Sequence, residues 1–190
     1  VLYFPIKARN VLAQLVAKKG GLTCALETPA WPEYKGETVF GQLPQLEFDG
    51  QKLAQSMAIV RCIARKAKLD GATDEEFYAS EMLLELSVEC YDALKAAFVY
   101  EKMGVPADKV DELKATLKTL FGHMERLVDA SRGTAGDLAT VASCVVCEEF
   151  NLDELLTDAP KVKAYYEAEK ATREELFGSF GAWFKPCQAA

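Results

Sequence analysis

The chain has 190 residues, half of them hydrophobic and 27% charged, with 22 basic against 29 acidic side chains and a formal net charge of −7. The acidic balance argues against nucleic acid as a partner, and the apolar content argues against disorder. No apolar run approaches the roughly 18 residues that span a bilayer; the longest, Leu138 to Cys147, is broken by Ser and Thr and reads as a buried helix.

Six cysteines (Cys24, Cys62, Cys90, Cys144, Cys147, Cys187) are scattered along the chain. A chain of this length buries roughly 70% of its unfolded surface without staples. The cysteines therefore read as small hydrophobes in a reducing compartment. A cytoplasmic setting is expected. An organelle stays open, because Val1-Leu2-Tyr3-Phe4 already reads as a strand and residues before it are expected.

In chain order, Val1–Pro5 is a short apolar strand. Asn10–Lys19 has apolar residues at helical spacing and stops at Gly20-Gly21. Leu22–Glu27 can form a second strand. A Pro- and Gly-bearing stretch follows over Thr28–Gly41, where Trp31-Pro32-Glu33 can open one helical turn. Gln45–Phe48 and Gln51–Ala54 flank Asp49-Gly50, a strong hairpin signal because type I′ turns need positive φ at both positions. Gln55–Lys66 reads as an amphipathic helix with Ser56, Ile59, Val60, Ile63 and Ala64 on one side. The order β-α-β, loop, β-β-α predicts a four-stranded mixed sheet.

Strand signals then vanish. Thr73-Asp74-Glu75-Glu76 has the spacing of a capping box and opens a long helix to about Lys102. Gly104-Val105-Pro106 breaks it. A second long helix is expected over Ala107–Ala130, with Val110, Leu113, Leu117, Leu120, Met124 and Leu127 at three-to-four spacing. Ser131–Gly136 reads as a loop. Thr140 is expected to cap a buried helix to Phe150, and Asp158/Pro160 to open another through Lys170. Two domains follow, 1–67 of α/β type and 74–190 all helical, joined by 68–73.

At Phe40–Lys66 the chain reads FGQLPQLEFDGQKLAQSMAIVRCIARK, which resembles the glutathione-binding segment of the glutathione transferases, the sigma class in particular. Leu2-Tyr3-Phe4 resembles that family's first strand with its catalytic tyrosine, and Trp31-Pro32-Glu33-Tyr34-Lys35 its W-P-E-x-K turn. Gly136–Ser143 resembles a capping-box segment, and Asp158–Val162 the start of a late helix. The resemblance implies a thioredoxin-like domain followed by an all-α domain, with glutathione as co-substrate, a homodimer and no metal. It implies glutathione transfer to a small hydrophobic electrophile, or glutathione-dependent isomerisation of one.

A free thiol ionises near pH 8.5, and lowering that by two units takes about 2.7 kcal/mol of differential anion stabilisation. By resemblance, Tyr3 is the hydroxyl donor that supplies it, and Arg9 adds positive potential. Gln55 and Ser56 open a helix, whose N–H groups suit an anion. The resemblance puts the γ-glutamyl carboxylate there, the cysteinyl backbone on Leu43 before a cis Pro44, and the glycyl end on Trp31, Lys35 and Gln42. Ile6, Lys7, Phe98, Tyr100 and Met103 are the candidates for a second-substrate wall between the domains.

Other features carry plainer readings. Cys144-x-x-Cys147 lies in the helical half beside Glu148-Glu149, where a redox pair is not expected. His123 lies on an amphipathic helix without ligand partners nearby. A thiol-reductase role is disfavoured, because no Cys follows Tyr3-Phe4-Pro5 before the first helix. Three departures bear on catalysis: the family's G-R-A-E appears as Ala8-Arg9-Asn10-Val11, the capping aspartate expected after Thr140 is Ser143, and the carboxylate that reaches a partner's glutathione is matched by Ala93, with Glu89 and Asp92 nearby. They motivate the competing expectation of a non-catalytic subunit, structural as in a lens or docked in a larger assembly.

Overall fold

The computed structural model describes residues 1–104 and 106–180, with side chains for all of these except 101 and 102. Cys187 and the end of the helical segment expected to run to 190 lie outside the described residues.

The first segment pairs on both sides through single bridges. Leu2 N–H donates to Gln45 O (2.7 Å) and Gln45 N–H to Leu2 O (3.1 Å). On the other side Tyr3 N–H donates to Glu27 O (3.0 Å) and Glu27 N–H to Val1 O (2.9 Å). The bridges are antiparallel to Gln45 and parallel to Glu27. Among the described residues the extended sheet is a two-stranded antiparallel hairpin, β1 (Gln45–Phe48) and β2 (Gln51–Ala54). The two earlier strands expected are thus reduced to bridges; Pro5, which has no N–H, stops the first from pairing further. The hairpin has the expected bounds and register, Gln45 opposite Ala54 and Phe48 opposite Gln51. Asp49 and Gly50 both take positive φ (48° and 73°), as a type I′ turn requires.

Helix α1 (Val11–Lys19) is buried from Val11 to Ala17, and α2 (Ser56–Ala67) buries Ile59, Val60, Ile63 and Ala64 against it. Between α1 and β1, Trp31–Pro32 is a cis bond and a 3-10 turn spans Glu33–Glu37, so Pro32 precedes the turn rather than opening it. Helix α3 (Asp74–Lys102) starts as expected: Glu76 N–H donates to Thr73 Oγ1 at 3.2 Å, and the Glu76 carboxylate accepts from Ala72 N–H at 2.7 Å.

Helix α4 (Ala107–Leu127) ends three residues early, because Val128 turns extended and the Asp137 carboxylate takes the N–H of Asp129 at 2.9 Å. Helix α5 (Ala135–Glu149) corrects the expected start at Thr140. Its N-cap is Thr134, whose hydroxyl and N–H reach the Asp137 carboxylate (2.7 and 3.0 Å) in a reciprocal capping box. Thr140 lies inside the helix and donates to Asp137 O at 2.7 Å. Gly136 is required there: a Cβ at that position would lie 2.2 Å from Ser80 O on α3. A 3-10 turn at Asp153–Asp158, α6 (Pro160–Ala168) and α7 (Lys170–Phe177) follow, so the late helix expected through Lys170 is two helices.

Helix α5 is buried from Ala135 to Cys147 and touches α1, α3 and α6, which makes it the axis of the molecule. An all-round apolar helix belongs in such a position. Ion pairs run from the first segment to the helical half: Arg9–Asp92 (3.0 Å), Arg61–Glu81 (2.9 Å), Lys7–Glu149 (3.4 Å) and Lys18–Glu175 (2.5 Å).

Candidate functional site

The start of α2 and the loop before β1 face one another. Pro44 follows a cis bond from Leu43. Gln55, the N-cap of α2, takes φ 73°, and no side chain caps that helix end. A non-glycine residue with positive φ costs on the order of 1–3 kcal/mol and tends to mark sites. Gln42, Leu43, Pro44, Gln55 and Ser56 line one cavity of about 240 Å³ with Arg9, Phe40 and Ala54. Arg9 is the charged side chain among these eight, and it adds to the positive end of α2.

Trp31 and Lys35 do not line this cavity. The Trp31 ring packs edge-on to Phe4 (6.0 Å), and Phe4 lies 5.7 Å from the Tyr3 ring. A Cβ at Gly41 would lie 3.4 Å from Lys35 Cε, so the Lys35 stem runs beside the loop.

Tyr3 is buried, and neither this cavity nor the next has it in its wall. Burial pushes its phenol up to about 12, reinforced by Tyr91; the backbone and charge of Arg9 oppose the shift. The group is therefore a protonated donor at neutral pH. Arg9 donates to Asp92 Oδ1 (3.0 Å) and lies 4.4 Å from the centre of the Tyr91 ring. Asp92, expected near a carboxylate that crosses to a partner, is turned to Arg9 of its own chain. Burial also raises Tyr91.

A second cavity, about 50 Å³, adjoins the first through shared Arg9 and Ser56. Its wall comes from α1, α2, α3 and α5, with Leu12, Met57, Val88, Tyr91, Ala142 and Val146 among the lining residues. The five residues expected to form a second-substrate wall are not in it. Phe98 is buried and stacks on Phe150 (4.5 Å), Tyr100 and Met103 are exposed, and Lys7 pairs with Glu149. Sequence reasoning did not single out this cavity, because Ala142, Ser143 and Val146 read as a uniformly buried helix. Small residues facing α1 and α3 open the space, and that depends on tertiary approach.

The cysteines are free thiols among the described residues. Burial raises Cys144 and Cys147, and it pushes Cys90 up to about 12. Thiols so far from ionisation are poor nucleophiles. His123 lines an open groove between α3 and α4 with Glu81, Glu85 and Glu89. Among the described residues no helix is long and apolar enough to cross a membrane, and no cluster of His, Cys, Asp and Glu is arranged to hold a metal ion.

Residues 21–65 match the glutathione S-transferase N-terminal domain. A probable glutathione S-transferase 6 of Caenorhabditis elegans is 40% identical over 79 residues, which are 40% of this chain and 38% of that relative, so the chain spans well under half of its length. The crystal structure of the Ascaris lumbricoides glutathione S-transferase superposes with a TM-score of 0.73 at 26% identity, over 91% of this chain and 90% of the other. A probable glutathione S-transferase 9 of Caenorhabditis elegans is 30% identical over 140 residues, covering 72% of this chain and 68% of the relative. The likeness thus runs past the first seventy residues into the helical half, and the chain belongs to the glutathione S-transferase family.

Proposed function

We propose that the protein is a sigma-like glutathione transferase, in which residues 1–67 bind glutathione, 68–73 link, and the helical part supplies the second-substrate side. The observation that carries this reading is the cavity itself. An uncapped helix start at Gln55-Ser56, a cis Leu43–Pro44 and the cation Arg9 meet in one place with no carboxylate in its wall. An anionic peptide end suits the N–H groups of α2, and the main chain beside Pro44 suits a peptide backbone. Gln42 is in the same wall and serves the glycyl end together with Lys35, whose stem runs beside the loop, and Trp31.

Tyr3 then acts as a donor that favours the thiolate over the thiol, with Arg9 adding positive potential. The thiolate attacks an electrophilic carbon, a C–S bond forms, and the leaving group departs with the electron pair. The apolar cavity beyond Arg9 and Ser56 is the place for the electrophile's apolar part, and its size favours a small one. Ile6 and Lys7 stay next to it in sequence, whereas Phe98 serves the helical core. The substrate itself, conjugation or isomerisation, is chosen by this wall.

One observation favours the non-catalytic alternative: Tyr3 is 6% exposed and is absent from both cavity walls. Retention on immobilised glutathione followed by a conjugation assay separates the two. We expect retention and turnover, with Tyr3→Phe retained as well and turnover reduced on the order of a hundredfold, the lower range for a positioned proton donor. Retention without turnover supports the structural reading, and unchanged turnover in Tyr3→Phe removes the tyrosine from the chemistry.

The exposed apolar residues Val39 and Phe40 beside the cavity, and Phe77, Tyr78 and Met82 on α3, supply a face for a second copy. Sedimentation should give twice the chain mass of 20.9 kDa; a single-chain mass contradicts pairing.

A further inference from the structure

Half of the polar cavity's lining belongs to one loop. Residues 39–44 contribute Phe40, Gln42, Leu43 and Pro44. Among the described residues, this segment makes a single hydrogen bond: Val39 N–H donates to Gln45 Oε1 at 2.9 Å. Within one chain, packing does little to fix its start, since Val39 and Phe40 are 46% and 60% exposed.

Gln45 is the opposite case. It is fully buried, and its Nε2 donates to Glu47 Oε1 at 2.8 Å. A carboxylate only accepts, so the Gln45 amide must turn its oxygen away from Glu47, toward Val39. Glu47 is steadied in turn by the Tyr34 hydroxyl (3.3 Å) and the Lys52 ammonium (3.7 Å). The main chain of Gln45 makes both bonds to Leu2, next to Tyr3. Residues 39–45 therefore form a ring closed by one side chain, and that side chain is fastened to the strand segment that carries Tyr3.

We propose that Gln45 is a positioning residue for the glutathione cavity: its side-chain amide, oriented by Glu47, sets the shape of the 39–44 loop and through it the affinity for glutathione. The inference rests on the glutathione reading above. Leucine at this position fills a similar volume and cannot accept the Val39 N–H. A ligand that binds both loop and α2 restores the loop once bound, so the loss falls on binding rather than on the bound complex.

The test combines calorimetric glutathione binding, steady-state kinetics and amide hydrogen exchange in wild type, Gln45→Leu and the double variant Gln45→Glu/Glu47→Gln. The double variant swaps the two side chains and keeps the net charge: a carboxylate oxygen at position 45 can still accept the Val39 N–H, and the bond between positions 45 and 47 re-forms with its donor and acceptor exchanged. Gln45→Leu should weaken the glutathione Kd and raise its KM about tenfold, the scale of one such hydrogen bond. Its kcat at saturating glutathione should stay within about twofold, and exchange at Val39–Leu43 should quicken. The swap should recover most of the affinity and the protection.

Gln45→Leu with wild-type affinity and exchange overturns the proposal, as does a swap as damaged as Gln45→Leu. Equal loss in kcat and affinity assigns Gln45 a general structural role and also overturns it. Wild-type protein that does not bind glutathione overturns the ligand reading instead, and exchange at Val39–Leu43 then decides the loop contact by itself.

Discussion

Tyr3, the proposed thiolate donor, is also part of the buried packing. Its ring is part of the buried surface against Phe4, and burial raises its phenol from the ordinary 10 to about 12. The sign of the linked stability follows. The folded state holds this proton more tightly, so the contribution is fully present below pH 10 and is lost as pH rises toward 12, by about 3 kcal/mol in all. Urea unfolding of wild type and Tyr3→Phe across that window should show the wild type alone carrying this extra loss; parallel curves contradict it. The cis bond before Pro44 was legible through resemblance. The positive φ of Gln55 was not, because nothing in Gln-Ser distinguishes a strained helix entry from a relaxed one. Nor was the role of Asp92, which depends on Arg9 crossing to α3.

Among the elements, the hairpin and α2 were the most legible, because turn chemistry and apolar spacing act locally. Asp49-Gly50 fixed the β1–β2 register without tertiary help. The start of α5 was misread for a physical reason. Thr140 and Ser143 have the residue types of a cap, yet inside a helix their hydroxyls bond back to Asp137 O and Ala139 O (2.7 and 2.9 Å). The true box at Thr134-Ala135-Gly136-Asp137 keeps its aspartate, so the supposed loss of the family's capping residue is withdrawn. Asp137 is fully buried and accepts from Arg132 Nε (2.8 Å) as well as from Thr134 and Asp129 N–H. Asp137→Ala leaves Arg132 and these N–H groups without their acceptor and should cost about 3–5 kcal/mol. A urea midpoint shift equivalent to less than 1 kcal/mol would remove the box from its structural role.

Across the whole molecule, the two cavities meet where the first segment leans on the helical half. Much of the polar cavity's wall was readable beforehand, because Gln42, Leu43, Pro44, Gln55 and Ser56 fall in one stretch that carries the resemblance, whereas Phe40 was not singled out and Trp31 and Lys35 lie outside the wall. The apolar cavity was not, since α1, α3 and α5 each contribute to it, with Leu12 and Val146 more than a hundred residues apart. The proposed function comes down to one chemical statement: that glutathione bound in the polar cavity has its thiol ionised by Tyr3, aided by Arg9. The ultraviolet absorbance of the bound thiolate, followed against pH in wild type and Tyr3→Phe, tests this most directly. The wild-type complex should ionise at least one unit below the free-thiol value of about 8.5, and Tyr3→Phe should return most of the way to it. A bound thiol that titrates at its free value in the wild type, or equally low in both proteins, contradicts the account.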